Sequence, residues 1–556
     1  MATPSSLGLQ VQEERGPDPP IARLSTARTA FVGRTLRGPV NRPTLIKNFA
    51  EFQHAFGGLW QPSTLGYAVE HFFDNGGREA LIVRVVNGAR STTLTLNAGG
   101  AKMTLQALSP GTREFLRASV DYDNIPADDA TRFNLTVQRV RVPGGSHVED
   151  QEIFPGLSIV PGDARHVPVV LARSDLVQLV SDVPAQRPDR TVDAGGNRAA
   201  GYVSSGADGD DGAPLTDYDL VGSEIDRTGI FALQNADYFN LLCVPPLSRE
   251  QDVGPSVLWV AARYCKEHRA LLIVDPPSGW HTADDALLAM RDWNCATEDA
   301  LMYFPRILAH DKLRGHFESF APCGAVAGML ARTDEASPLW APAKLEEAVL
   351  RPGYRPTCLV AEDRRVLLAL RGVNTLQAVR SVARIGVKPR TLAAGAAGAA
   401  DWQSLAARRL ALFILNSVEC GTRWALTAEA EAQLGVAERV AAQVRIFFEG
   451  LYESGAFAAR RMEEAFFVVC DRRINTAVSA AAGTAAGAAG GAHANEFRLL
   501  IGFTFRGRAD FHSFRISHSA AGSKIQPVTL NRLNLAEYCP EELEWVNRLA
   551  SQLDPP

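Results

Sequence analysis

Three short apolar runs limit what this chain can fold into. LLCV at 241–244, ALLIV at 270–274 and ALMYF at 300–304 are apolar at successive positions, and helical patterns near 255–268 and 282–293 separate them. A strand that is apolar on both sides must be covered on both sides, and strands joined through helices run parallel. The series therefore predicts a central, doubly wound α/β domain, placed at residues 201–345.

The same mixture occurs earlier, at residues 26–90. TARTAFVGRT predicts a strand, NFAEFQHAF and STLGYAVEHFFDNGG two helices, and EALIVRVV a buried strand. Leu65, Val69, Phe72 and Phe73 share one face of the second helix, and Gly76 and Gly77 close it. Residues 91–200 change to short β-prone alternations (STTLTLNA, RFNLTVQRVRV, HVPVVLA) between turn residues, which predicts an inserted, antiparallel β-rich domain. The glycine-rich stretch 184–216 reads as a linker or long loop.

The region 346–496 predicts an α+β domain, with helices around 402–420 and 436–452, a buried strand AFFVVCD, and Ala/Gly stretches at 393–400 and 480–491. Two alternating strands follow in 497–519, FRLLIGFTF and FHSFRIS, and then a tail extension, 520–556, that ends in an acidic helix. At the other end, residues 1–25 form a polar, proline-rich arm in which Leu7, Leu9 and Val11 alternate with polar or small residues. Such a strand has nothing of its own to pair with, so it is expected to look to another sheet.

Length and composition fit this multidomain α/β and α+β plan. A chain of 556 residues holds about three to five domains. The formal charge of −5 lacks the basic surplus that phosphate neutralisation requires, so no nucleic-acid partner is expected. The longest strongly apolar run, Leu410 to Leu415, is far short of a bilayer span, and no basic start with an apolar stretch behind it opens the chain. Neither membrane insertion nor signal-peptide export is expected. Eight cysteines lie at least 22 residues apart without a C-x-x-C pair, which fits reduced thiols and no zinc site.

Chemistry is hard to find. Asp275 follows ALLIV, where doubly wound sheets hold ligands, yet Pro276 and Pro277 come next and no phosphate-cradling glycine motif exists, so a cap or turn role is expected. G-x-S-x-G is absent. Cys323 opens a helix of small residues and reads as buried in tight helix packing rather than as a nucleophile. The pairs His310/His316 and His512/His518 are each six apart, which does not place two metal ligands on one helical face. No catalytic residue, cofactor or metal site is predicted.

Ordered segments resemble the sheath proteins of contractile tails, the family that encases the tube in myovirus tails, R-type pyocins and related injection machines. LGLQVQEE at 7–14 is similar to the family's opening strand, with Leu7 where the family has proline. TAFVGRTLRGPVNRPTLIKNFAEFQHAFGG and AVEHFFDNGGREALIVRVV resemble its first folded block. LLIVDPP and FAPCGAVAGMLARTDEASPLWAPA resemble its central motifs, with Ala321 and Cys323 as departures. GVNTLQAVRSVARIGVKPRTL, WQSLAARRLALFILNSVE, AFFVVCD and ANEFRLLIGFTF resemble its C-terminal domain. The likeness spans about residues 5–517, with 91–200 matching in β character alone.

The resemblance implies a subtilisin-like fold for the central domain, an outward position for the β-rich insertion, and an inner sheath domain at 346–496 with which 26–90 packs. It also implies that extended N- and C-terminal strand arms join subunits by strand addition. Leu7, Leu9 and Val11 would be the linking positions at one end. Phe503, Phe505, Phe514 and Ile516 would be those at the other, unless their strands close an intramolecular sheet. Arg364, Arg365, Arg371, Arg380 and Arg384 are candidates to face an acidic tube, or else a solvated helix face. The implied partners are further copies of the chain in six-fold rings, the inner tube, and baseplate and terminator proteins. The implied location is a virion tail or contractile injection particle, assembled in the bacterial cytoplasm. An intracellular α/β enzyme with a β accessory domain is the competing reading.

Overall fold

A computed structural model describes residues 20–191, 201–341, 348–379, 382–385, 389–393, 402–426, 433–470, 497–505 and 511–528. Leu7, Leu9, Val11, Arg380, the Ala/Gly stretches after Ala393 and the acidic helix of the tail lie outside the described residues. The chain divides into two units, residues 26–338 with 342–408, and residues 1–25 with 339–341 and 409–556.

The larger unit begins with β1 (Thr29–Gly33), β2 (Thr44–Ile46), α1 (Phe49–Phe56), α2 (Leu65–Asp74) and β3 (Ala80–Arg84). The glycines after α2 work as expected, with Gly77 N–H donating to Phe72 O at 2.9 Å. The insertion supplies β4 (Thr93–Ala98), β5 (Ala101–Ala107), β6 (Leu116–Asp121), β7 (Arg132–Val140), β8 (Val148–Ser158), α3 (Val167–Leu171), β9 (Val177–Leu179) and β10 (Val203–Ser204). After it come α4 (Asp217–Val221), β11 (Leu241–Cys243), α5 (Pro255–His268), β12 (Leu271–Val274), α6 (Ala283–Ala289), β13 (Ala300–Phe304), β14 (Ile307–Asp311), β15 (His316–Phe320), α7 (Cys323–Ala336), β16 (Arg355–Pro356), α8 (Glu362–Leu370), β17 (Val373–Val379) and β18 (Val382–Ile385).

One sheet organises this unit, in the order β18-β17-β13-β12-β11-β1-β3-β2, parallel except for its two edge strands. Every residue of β1, β3, β11, β12 and β13 is buried. The sheet corrects the expected boundaries. Residues 26–90 do not stand apart from 201–345, because β1 is apolar on both faces and needs a neighbour on each edge, which β3 and β11 supply. At its far side the sheet takes β17 and β18 from the region assigned to the C-terminal domain.

Successive side chains of a strand point to opposite faces. Ala30, Val32, Leu81, Val83, Leu242, Leu272 and Met302 meet Val257, Ala261 and Cys265 of α5 and Ala286 of α6. The alternate positions meet α2 and α7, with Phe31 edge-on to Phe72 at 5.5 Å. On that side α2 and α7 touch through backbone: a Cβ on Gly324 would lie 1.9 Å from Ala68 O, and one on Gly328 2.1 Å from Phe72 O. The small-residue helix after Cys323 thus packs as its sequence predicts.

The insertion is a sandwich of a three-stranded sheet, β4-β5-β9, and a four-stranded one, β10-β6-β7-β8. Inward residues alternate along the strands and join in one core around Leu96, Leu105, Phe133 and Leu135. HVPVVLA, expected as β, is helix α3, with Pro168 in its first turn. Proline fixes a helical φ and removes a ladder donor, which outweighs the β preference of three valines. Arg84, 1% exposed at the end of β3, donates to Gly38 O at 2.7 Å and Pro110 O at 2.6 Å. Its guanidinium holds the sheet to the chain at the root of the sandwich, and burial lowers its pKa to about 10.

The second unit contains most of α9 (Leu405–Thr422), α10 (Gln433–Glu453) and the antiparallel sheet β19 (Phe466–Val469), β20 (Phe497–Thr504), β21 (Phe511–Ser519) and β22 (Gly522–Val528). Phe448 of α10 centres its core, 5.0 Å from the Phe466 ring and 6.0 Å from Phe503. The residues expected as the start of a tail extension are instead β22, paired with β21 from Ser519↔Gly522 to Ser513↔Val528.

Candidate functional site

The features singled out for assembly are the arm, the C-terminal strands and an arginine-bearing helix. Of the arm, the structure describes the last residues before Thr26. Ile21 is buried against Gly421 of α9, where an added Cβ would lie 2.9 Å from Ile21 Cγ2, and Leu24 N–H donates to Ser417 Oγ at 3.4 Å. The chain preceding Pro20 therefore leaves from a point fixed on α9.

β20 and β21 are interior strands. β20 pairs with β19 on one side and β21 on the other, and β21 is closed by β22. Phe503 and Ile516 are fully buried and Phe514 nearly so, with Phe503 stacked 5.7 Å from Phe514 and edge-on to Phe505 at 5.3 Å. Phe503, Phe514 and Ile516 face the unit's own core, the arrangement in which these strands close an intramolecular sheet. A strand whose two edges are both bonded has no backbone groups left for a partner. Of the sheet's two edge strands, β19 is buried, and β22 is mostly exposed and carries Lys524 and Pro527, residue types that blunt edge strands. Sequence reasoning missed it because Ile525 is its one large apolar residue before Val528.

Arg364 and Arg365 sit on α8. Arg364 Nε lies 3.1 Å from Asp284 Oδ1, and Arg365 Nη2 lies 3.7 Å from Glu362 Oε2. Arg371 caps the helix and is exposed, and Arg384 is opposite Gln377 in the β17–β18 ladder. The same helix shows solvent three large apolar residues, Val366, Leu367 and Leu370, while Leu368 alone is buried. That apolar row is legible in RRVLLALR, where more apolar positions occur than one buried face can use.

Asp275 behaves as a cap. Its Oδ1 accepts from Cys323 N–H at 2.8 Å, supplying the acceptor that Pro322 cannot offer at the start of α7. Burial raises its pKa to about 6, against the opposing pull of the Cys323 contact and Arg306. The Cys323 thiol is also buried, and burial pushes its pKa well up, the reverse of what a nucleophile requires. Among the described residues no group of three His, Cys, Asp or Glu side chains is placed to hold a metal ion, and no helix is long and apolar enough to cross a membrane.

No protein-family model and no curated protein matches the chain. Solved structures do. The crystal structure of a sheath tail protein from Listeria innocua superposes with a TM-score of 0.56 at 11% identity, over 90% of this chain and 93% of that one. A sheath tail protein from Desulfitobacterium hafniense superposes with a TM-score of 0.50 at 10% identity, over 92% of this chain and 100% of that one. Identity this low leaves the shared feature as the fold, and the chain has the mixed α/β, multi-sheet fold of sheath tail proteins.

Proposed function

We propose that the protein is the structural subunit of a contractile tail sheath. It would polymerise as stacked hexameric rings around an inner tube and shorten to drive that tube through a target envelope. The observation that carries this reading is a likeness in fold to two sheath tail proteins over at least nine-tenths of the chain. The arm adds support, because an alternating strand with no partner in its own segment suits strand addition between copies. The exposed edge of β22 is its proposed acceptor. In this reading the central α/β domain is the subtilisin-like part, a fold without the matching activity. The sandwich faces outward, and baseplate and terminator proteins bound the polymer in a virion tail or injection particle.

Heterologous contacts that do not close along the axis produce a helix. Contraction then draws on apolar surface newly buried between subunits, at about 25 cal/mol per Å² and multiplied over many copies, so no nucleotide is required. Electron microscopy of the purified chain should show hollow, striated cylinders, and particles of fixed size would support the enzyme reading instead. Deleting residues 1–20 should leave a folded subunit that forms no cylinders, and normal cylinders from that variant would refute the arm's role.

The outer face of α8 is the proposed tube contact, since arginines beside exposed apolar side chains match an acidic surface with apolar relief. Arg364→Glu combined with Arg365→Glu should reduce co-assembly with the tube by about tenfold or more, judged by cosedimentation. Unchanged co-assembly would remove α8 from the tube interface.

A further inference from the structure

Where β11 and β12 end, the central sheet leaves a cavity of about 530 Å³. It is within the size range of small-molecule sites and lies at the carboxyl ends of parallel strands, where open α/β sheets hold ligands. Its wall is mainly apolar, with Val244, Val253, Leu258 and the indoles of Trp259 and Trp293. Its charge is one-sided: Asp252, Asp275 and Asp292 line it, and no Lys, Arg or His does.

The three carboxylates differ in what already satisfies them. Asp252 is engaged, accepting from Arg306 and from Ser278 N–H at 2.6 Å. Asp275 uses Oδ1 for Cys323 N–H and lies against the Cys323 thiol, which works against the rise that burial gives its pKa, while its Oδ2 is buried. Asp292 is exposed. The buried Trp293 Nε1 has no partner among the described residues. Unpaired buried polar atoms cost free energy and invite a ligand that completes them.

We propose that this cavity binds a small organic cation, an ammonium group on an apolar body. The ammonium would lie between Asp275 and Asp292, and the apolar part would lie against Trp259, Trp293 and Leu258. Indole faces attract cations through the ring quadrupole, and a buried carboxylate gains a donor of opposite charge. An anion would meet three carboxylates, and a neutral alcohol of the same shape could donate a hydrogen bond to Asp275 but would leave its charge uncompensated. Around Asp275 the charged and titratable neighbours are Arg306, Asp252 and the Cys323 and Cys243 thiols. Burial holds the carboxyl near pKa 6, so binding should strengthen as pH rises from 5 to 7 and the carboxylate forms.

Isothermal titration of the full chain with 2-phenylethylammonium, 2-phenylethanol and phenylacetate tests this. The amine should bind about tenfold more tightly than the alcohol, and phenylacetate should not bind. Asp275→Asn keeps an acceptor for Cys323 N–H and should weaken the amine about tenfold. Trp259, 59% exposed, can be removed without disturbing the core, and Trp259→Ala should also weaken the amine severalfold. Equal binding of amine and alcohol, unchanged binding in both variants, or no binding of the amine at millimolar concentration overturns the assignment.

Discussion

The two faces of the central sheet are closed in different ways. On one, α2 and α7 meet through Gly324 and Gly328 so closely that carbonyl oxygens of α2 fill the space a methyl group would need. On the other, α5 and α6 cover the strands through side chains such as Val257, Ala261, Cys265 and Ala286, and the cavity remains beyond the strand ends. Both faces are built on apolar strands of similar sequence. The difference lies in how the helices meet: Gly324 and Gly328, at i and i+4 of α7, bring its backbone against that of α2 and leave no space between. The first face has no room for substitution, and the second has room for a guest.

The largest expected effect is on the closed face. Gly324→Val should destabilise the larger unit by at least about 3 kcal/mol, because backbone atoms must move, while Leu258→Ala on the open face should cost less. Urea denaturation of both variants measures the gap, and equal losses would erase the contrast.

Next is the response to acid, where two buried groups have opposite signs. His71 of α2 is buried between the Phe320 and Tyr354 rings, and burial, with Lys312 and Arg249 nearby, lowers its pKa to about 3. The unfolded chain protonates this histidine near its ordinary value while the folded chain does not, so stability is present above about pH 6.5 and is lost as pH falls toward 3. Asp275 has a raised folded pKa, so its neutral form is the one the fold prefers, and it disfavours folding increasingly as pH rises from about 4 to 6. Asp275→Asn should therefore stabilise by about 2 kcal/mol at pH 7 and by almost nothing at pH 4. A constant difference across that range would mean the carboxyl is not held neutral by its surroundings.

The smallest effect belongs to the rim of the cavity. Trp259→Ala should change stability by less than about 0.5 kcal/mol, since most of the indole is already in water. A larger loss in the denaturation midpoint would show the indole to be part of the core.

Much of this arrangement is legible in the chain. Continuous apolar runs announce buried parallel strands, as in LLIV of β12, and the alternation in TLTLNA and RFNLTVQRV announces the sandwich. Legibility fails where neighbours decide. Nothing local in TAFVG says that its partner is LLC, more than two hundred residues away. FRLLIGFT has the same alternation whether its partner is another subunit or its own β21. The cavity is only partly legible: Asp275 stands in sequence where such sheets hold ligands, but Asp252 and Asp292 read as ordinary loop carboxylates until the fold brings all three to one wall.

The way residues 21–24 lie on α9 has a mechanical consequence. Advancing from Ile21 to Leu24 moves the contact from Gly421 back to Ser417, so this stretch runs antiparallel to the helix along one of its turns. A force pulling the chain ahead of Pro20 is thus delivered lengthwise to a helix that is itself packed into a core. Sliding along that helix requires Ile21 and Leu24 to let go together, whereas lifting away from it releases them one after the other. The direction of pull, more than its size, would then decide whether a tether rooted here holds.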